Sequence, residues 1–295
     1  MILDAEVIHN TQATLGEGPF WHTSEQRVYW VDIEGQALHR WHPATDAHES
    51  FAMPAMVGAA VPVIGGGLLL ALADGLAEFD PATEALIYRH RLLADTPKLR
   101  ANDGKCDAAG RFWVGSMHLD LKPNVGTLYR VDGDYTVTPH VHDLTISNGL
   151  AWTADARTLY FIDTPTQTVK AYSFDLDAGT LGAGQTVVTI PDDAGGPDGM
   201  CIDDEGMLWV AHWGGACVRR WNPHTGEHLA TINVPAPHVT SCAFGGTHLD
   251  TLYITTARSG LSPEQVAAHP QSGALFACRP GVTGPPTEAF RRTAS

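Results

Sequence analysis

The sequence predicts an all-β protein, a six-bladed β-propeller whose four-stranded antiparallel blades surround a central channel. A hairpin unit recurs along the chain, and its clearest copy runs from Ser147 through a turn at Asp155 to Asp163. The spacing between equivalent positions is 40 to 49 residues, which is typical of a propeller blade. Thirty glycines and nineteen prolines favour many tight turns over long helices. A sandwich of unrelated hairpins is the alternative, and it would not keep so even a spacing. The equivalent positions are Trp30, Leu70, Trp113, Tyr160, Trp209 and Tyr253.

The two ends of the chain are predicted to close the ring. Residues 2–10 alternate weakly between apolar and polar and have no blade of their own. We expect this strand to pair with the last blade, where residues 274–278 supply partner strands, because pairing removes open sheet edges. Residues 1–295 would then form a single propeller domain. One segment departs from the pattern: Ser262, Pro263 and Pro270 predict a short helix over 262–270.

Composition excludes several partners and compartments. The net charge of −15 argues against nucleic acid and against anionic membrane surfaces as partners. None of the five cysteines forms a Cys-x-x-Cys pair, which favours a reducing compartment. The N-terminus lacks the pattern of a signal peptide, and no apolar run reaches membrane-spanning length. We therefore expect a cytoplasmic protein, a monomer or weak homo-oligomer.

A ring of oxygen-bearing side chains is predicted at one mouth of the channel, where the innermost strand of each blade begins. Glu17, Asn148 and Asp198 form an oxygen-only set with two negative charges, which suits a hard divalent cation such as Ca²⁺, Mg²⁺ or Mn²⁺. The alternative is that these residues only cap turns, a common role of Asp and Asn before glycine. The second blade offers only apolar residues at 57–59. The ring consists of Glu17, Asn102, Asp103, Asn148, Asp198, Thr240 and Ser241.

Four ordered motifs resemble those of the senescence-marker-protein/gluconolactonase/regucalcin-like family, and the similarity runs from Ala13 to about Arg258. The resemblance implies a six-bladed propeller that holds one divalent metal through Glu17, Asn148 and Asp198. Calcium is the first choice, with Zn²⁺, Mn²⁺, Mg²⁺ and Fe²⁺ as alternatives. It also implies substrate contacts from Arg100, Asn102 and Asp120, although animal members of the family carry Glu at the last of these positions. The motifs are Leu15-Gly16-Glu17-Gly18-Pro19, Arg100-Ala101-Asn102-Asp103-Gly104-Lys105, Ser147-Asn148-Gly149-Leu150-Ala151 and Pro197-Asp198-Gly199.

The function implied by this resemblance is the hydrolysis of sugar-acid lactones to aldonic acids by a metal-dependent, gluconolactonase-like lactonase. Asp198 is the candidate base for the attacking water, because one carboxylate can serve both metal and water. Two rival functions remain open: a cation-binding regulatory protein without turnover, and a scaffold propeller that binds proteins. His118 and His212 follow inner-strand motifs, where a substrate contact or a plain structural role is open. Motifs of serine hydrolases, phosphate-binding loops and zinc proteases do not occur.

Overall fold

A computed structural model describes residues 1–96 and 98–293, and β-strands make up most of this part of the chain. The helical segments are α1 Pro263–Ala268 and two 3₁₀ turns, Thr164–Thr166 and Asp192–Ala194. The strands are β1 Ile2–Asp4, β2 Glu6–His9, β3 Gly16–His22, β4 Arg27–Asp32, β5 Ala37–His42, β6 Ala47–Ala52, β7 Val57–Pro62, β8 Leu68–Leu72, β9 Gly75–Asp80, β10 Ala85–His90, β11 Leu99–Cys106, β12 Phe112–His118, β13 Gly126–Val131, β14 Val137–Leu144, β15 Ser147–Trp152, β16 Thr158–Asp163, β17 Thr168–Asp175, β18 Thr180–Thr189, β19 Gly196–Ile202, β20 Leu208–Trp213, β21 Cys217–Trp221, β22 His228–Asn233, β23 His238–Gly245, β24 Thr251–Ala257 and β25 Leu275–Cys278.

The all-β, propeller-like architecture that the sequence predicts is confirmed. Four separate four-stranded sheets follow one another along the chain as β3–β6, β7–β10, β11–β14 and β15–β18. Every pairing within them is antiparallel and joins strands that are consecutive in sequence. Each sheet is therefore one repeat of the hairpin pattern, extended by the strands that follow it.

The remaining strands form one nine-stranded sheet, so the sheets do not separate into the six four-stranded units that the sequence predicts. One half contains β19–β22 and β1, and the other contains β23–β25 and β2. A single residue pair, Trp213 with His238, joins the halves between β20 and β23. The rings of these two residues also stack, with centroids 4.0 Å apart. A repeat pattern in the sequence does not predict this bridge, because the pattern describes each hairpin unit and not the contacts between neighbouring units.

The N-terminal segment serves both halves of that sheet. The sequence predicts one strand over residues 2–10, whereas the structure contains two. Ile2–Asp4 pairs in parallel with β22, and Glu6–His9 pairs antiparallel with β25. Between them, Ala5 is buried and its backbone N–H donates to the carbonyl of Asn233 at 2.9 Å. The change of partner at Ala5 therefore splits the predicted strand.

Six strands surround the central axis, and each belongs to a different repeat. These inner strands, β3, β7, β11, β15, β19 and β23, contact one another in sequence order, and the last contacts the first. Large apolar side chains such as Trp30, Trp113 and Trp209 are fully buried within the repeats. The apolar faces thus stabilise the sheets against one another, and the inner strands bring residues that are remote in sequence to one axis.

The predicted short helix is confirmed as α1. Ser262 is the N-cap of this helix, and its side chain accepts a hydrogen bond from the backbone N–H of Gln265. In return, the backbone N–H of Ser262 donates to the side-chain oxygen of Gln265. Pro263 occupies the first turn, where its missing N–H has no cost. Among the described residues, no helix is long and apolar enough to cross a membrane.

Candidate metal and substrate site

All six inner strands leave regular register with their partner strand near the same position. Such a β-bulge inserts an extra residue and re-aims the side chains beside it. The residues predicted for the channel mouth lie at these shifts or next to them, at equivalent places in their repeats. The shifts fall between Glu17 and Phe20, Val57 and Ala59, Ala101 and Gly104, Asn148 and Leu150, Pro197 and Met200, and Val239 and Ser241.

A chain of hydrogen bonds ties three of these strands together at the bulges. Arg100 Nη1 donates to Asn102 Oδ1 at 2.6 Å, and Asn102 Nδ2 donates to Asn148 Oδ1 at 2.9 Å. Asn148 Nδ2 then donates to Thr164 Oγ1 at 2.9 Å, and that hydroxyl donates to the carbonyl of Pro197 at 2.8 Å. This series of hydrogen bonds ends at Pro197, one residue before Asp198. It fixes the amide of Asn148 with its oxygen toward Asn102.

Glycines let the inner strands approach each other closely. Gly149 has a φ of 25°, and a Cβ there would come within 2.8 Å of the Asp198 carbonyl oxygen. Gly58, the bulge residue of β7, lies so close that a Cβ would overlap the carbonyl of Ala101. The second repeat therefore contributes no side chain to the mouth, in agreement with its apolar sequence.

Three carboxylates, those of Glu17, Asp103 and Asp198, form what we call the carboxylate cluster. Their residues are only 6%, 4% and 6% exposed. Glu17 and Asp103 each accept a hydrogen bond from the backbone N–H of the glycine that follows, and within residues 1–96 and 98–293 they make no other. Asp103 Oδ2 is buried and has no partner there. For Asp198, the backbone N–H of the following Gly199 opposes the rise in pKa. The cluster therefore lacks the donors that buried carboxylates normally have.

The pKa values of the three acids reflect their burial with few hydrogen-bond donors. Burial and repulsion from Asp103 raise the pKa of Glu17 to about 8. Burial and repulsion from Glu17 raise the pKa of Asp198 well above its usual range. Burial also raises the pKa of Asp103, and the Lys105 ammonium opposes that rise. Negative charge at this place is costly in the absence of a further cation.

Two cationic side chains lie near the three acids. Arg100 is buried, and burial lowers the pKa of its guanidinium, while Glu17 and Asp198 oppose that shift. Lys105 donates from Nζ to the carbonyl of Met200. When all three acids are ionised, their negative charge exceeds the positive charge of these two side chains by one, so a further cation would be attracted to this place.

The donor set fits a hard divalent cation. It consists of carboxylate and amide oxygens, and sulfur and imidazole are not among them. Across the described part of the chain, no group of three or more His, Cys, Asp or Glu side chains is preassembled to hold a metal ion. The three acids of the carboxylate cluster are therefore not preassembled as ligands, and the set predicted from the sequence combines two of them, Glu17 and Asp198, with Asn148.

The structure does not bring Asp120 to the cluster. Its side chain is 53% exposed and bonds to Lys98 Nζ at 2.6 Å, and this ion pair lowers the pKa of Asp120. His118 is buried beside it, where its Nδ1 accepts from the Asp120 backbone N–H at 3.0 Å. His118 thus shapes the turn that carries Asp120.

His212 and Lys105 complete the account of polar residues in the channel region. His212 is fully buried, and burial lowers its pKa to about 4, so it is neutral at pH 7. Lys105 was not among the residues predicted from the sequence. Its place two residues after Asp103 was the available signal, because alternate residues of a strand share a face.

A cavity of about 550 Å³ lies along the inner strands beyond the bulges. Its walls include Phe20, Trp152, Tyr160 and Phe244. Asp103 is the one member of the carboxylate cluster that lines it. The cavity is therefore largely separate from the oxygens of Glu17, Asn148 and Asp198. We place the candidate site at these oxygens because they are the groups that can bind a cation.

Comparisons with known proteins agree with the position of these motifs. A family model described as the SMP-30/Gluconolactonase/LRE-like region matches residues 15–258. The chain is 38% identical to a regucalcin from Danio rerio, over 98% of each chain. It is also 38% identical to the pentonolactonase XacC of Haloferax volcanii, over 94% of each chain.

A solved structure matches the fold over nearly the whole length. It is described as a calcium-binding protein, regucalcin, from Agrobacterium tumefaciens. The TM-score is 0.94 at 30% identity, and the match covers 99% of each chain.

Proposed function

The chain belongs to the SMP-30/gluconolactonase/LRE-like family, and from this premise we propose that it is a lactonase that opens sugar-acid lactones with the help of one divalent cation. The observation that carries the proposal is the carboxylate cluster, because three buried acids with so few donors are all ionised at neutral pH only beside added positive charge. The pentonolactonase among the relatives supports the reaction class. The calcium-binding regucalcin structure supports calcium as the cation.

Glu17, Asn148 and Asp198 are the residues we propose as ligands, with Asp103 close behind them. A bound divalent cation would supply Lewis acidity toward the lactone carbonyl. Asn102 donates to the oxygen of Asn148 and so presets the direction of that amide, as residues behind metal ligands commonly do. Asp103, whose Oδ2 has no partner among the described residues, adds negative charge without needing to touch the ion.

Asp198 is the proposed general base. A bound cation would hold its carboxylate ionised, and an ionised carboxylate at this place can accept a proton from the attacking water. Arg100 is the proposed donor to the oxygens of the substrate, because it lies beside Asn102 at the bulge of β11. Asp120 would have to leave Lys98 before it could contact a substrate. Arg100 and Asn102 therefore take precedence over Asp120 as polar contacts.

We also propose that the ring has six blades within one domain over residues 1–295. The support is the closed order of six inner strands, each with its own bulge. The two halves of the nine-stranded sheet would then be the fifth and sixth blades, joined at their edge by Trp213 and His238. The rival reading is a five-sheet body in which these halves move as one.

A proton-release assay tests the function. Metal-stripped and calcium-restored protein would be compared on a panel of aldonolactones, with spontaneous opening subtracted. We expect turnover only in the restored protein. Calcium binding without turnover of any lactone in the panel would instead support a cation-binding regulatory protein. Full turnover after complete metal removal would exclude the proposed mechanism.

A further inference from the structure

Two of the five free cysteines contact each other. Cys201 on β19 and Cys242 on β23 have their Sγ atoms 3.6 Å apart. Within residues 1–96 and 98–293 this is the only contact between two thiols. The pair joins the two halves of the nine-stranded sheet next to the channel.

The backbone holds these two strands together at this level. A Cβ on Gly199 would lie 2.9 Å from the Cα of Ser241, so β19 and β23 nearly touch two residues before Cys201 and one residue before Cys242. Cys242 Sγ also donates to the carbonyl of Trp209 at 3.3 Å, which fixes its direction. The thiols are thus neighbours because of the fold, and a chance side-chain orientation is not needed to bring them together.

Small molecules have a route to the pair. Cys201 lines the cavity of about 550 Å³ that continues the channel. Cys106 lines the same cavity and is equally buried, but it has no thiol beside it in the described chain. A small molecule in the cavity can therefore reach Cys106 as well as Cys201, but Cys106 has no neighbouring thiol among the described residues with which to form a disulfide. It is therefore the matched control.

We propose that Cys201 and Cys242 are a modification site at which a small peroxide forms an intramolecular disulfide across the two sheet halves. In the first step a sulfur of the pair attacks hydrogen peroxide, giving a sulfenic acid and one water. In the second step the other thiol attacks that sulfur, the S–S bond forms, and a second water leaves with the thiol proton. Two thiols are oxidised by two electrons, and one peroxide is reduced to two waters.

Disulfide formation requires the two sulfur atoms to move closer together. A disulfide needs an S–S distance of about 2.05 Å, so the sulfurs must approach by about 1.5 Å from their present separation. Rotation about the two χ1 angles would supply this movement, and it would release the hydrogen bond from Cys242 Sγ to the carbonyl of Trp209. Burial raises the pKa of Cys201 well above its usual range; Cys242 and Asp203 act in the same direction, and Lys105 against it. The thiolate is therefore scarce and the first step slow.

The experiment follows thiols and mass in the full-length protein. Metal-free protein would be treated with hydrogen peroxide, quenched, alkylated and analysed intact and after proteolysis. We expect the loss of two titratable thiols, a mass lower by about 2 Da, and a cross-linked peptide containing Cys201 and Cys242, all reversed by dithiothreitol. Oxidised glutathione, which is too large for this route, should leave both thiols free.

Matched variants decide the assignment. Cys201→Ala and Cys242→Ala should each abolish the cross-linked peptide, whereas Cys106→Ala should form it at the parental rate. Circular dichroism and thermal melting confirm that each variant is folded. If either pair variant fails to fold, the peptide map of the parental protein decides alone. Oxidation confined to Cys278, or sulfinic acid on Cys201 without a cross-link, would overturn the proposal.

Discussion

Two kinds of buried acid lie along the inner strands, and their surroundings differ. Asp107 and Asp203 are almost completely buried, yet each accepts four hydrogen bonds, two from backbone N–H groups and two from side chains. The acids of the carboxylate cluster are similarly buried and accept at most one each among the described residues. The side-chain donors are Arg111 Nε and Trp113 Nε1 for Asp107, and Trp209 Nε1 and Arg220 Nε for Asp203, at 2.7 to 2.9 Å.

The difference separates structural acids from candidate functional ones. Asp107 and Asp203 occupy the same place in two repeats, each six residues before the tryptophan whose indole it accepts, and they brace the hairpin turn. Glu17, Asp103 and Asp198 have no such donors and face the axis. Burial alone is common to both groups, so the number of donors is the informative observation.

The largest effect expected is on turnover. Asp198→Asn keeps the shape of the side chain but removes the proton acceptor and one negative charge. We expect lactone hydrolysis to fall by at least about 100-fold, the usual contribution of a positioned base. Steady-state kinetics at saturating calcium would measure it. Near-parental turnover with the metal in place would remove Asp198 as the base.

The matched substitution at a structural acid should act on stability instead. In Asp203→Asn the new amide N–H₂ group faces the donors Trp209 and Arg220. Because a buried, hydrogen-bonded ion pair is broken, we expect the free energy of unfolding to fall by about 3 kcal/mol. Urea titration would measure the loss, and turnover per folded molecule should be unchanged. A neutral effect on stability would contradict the distinction between the two groups.

Cation binding should stabilise the fold through the cluster. At a calcium concentration 100 times the dissociation constant, the expected gain in unfolding free energy is about 2.7 kcal/mol. Thermal melts with chelator and with calcium would show it as an increase in Tm. Glu17→Gln should largely remove the gain, whereas Asp107→Asn, although less stable, should retain it. An equal gain in both variants would place the cation elsewhere.

A pH dependence of stability is also expected of the metal-free protein. The pKa of Glu17 is about 8 in the folded protein, against an ordinary value of 4.5. The folded state therefore holds an extra proton between these values, and its stabilising contribution, complete below 4.5, is lost as pH rises through 8. The slope is at most about 1.4 kcal/mol per pH unit. Chemical unfolding at several pH values should show it, and Glu17→Gln should flatten it.

The sequence was sufficient to predict the repeat. Because the hairpin recurs at even spacing, residues such as Glu17, Asn148 and Asp198 were expected at equivalent positions, and the structure has them at the bulges of their inner strands. The bulges have no single sequence signature, since Glu-Gly, Asn-Asp-Gly, Asn-Gly and Asp-Gly all produce them. The equivalence of the positions was predictable from the period, but the bulges were not, and convergence on one ion stays a prediction.

Other features depend on contacts between remote segments. Asp120 is exposed and pairs with Lys98, which lies before it on the far side of strands β11 and β12, and no motif specifies that pair. The joining of the last two repeats depends on Trp213 and His238. The division of the first strand depends on which edges lie open beside Ala5. A periodic pattern describes each repeat and contains no information on these junctions.

The bulge common to all six inner strands has a consequence for how this architecture changes its chemistry over time. Each bulge is closed by hydrogen bonds to its own partner strand, so a side chain there can be exchanged while the sheets stay as they are. Gly58 marks the limit, since the neighbouring backbone leaves no space for a side chain. The frame is thus constant, whereas Asn102 and Asn148 are hydrogen-bonded to each other, so a new specificity there requires substitutions that change together.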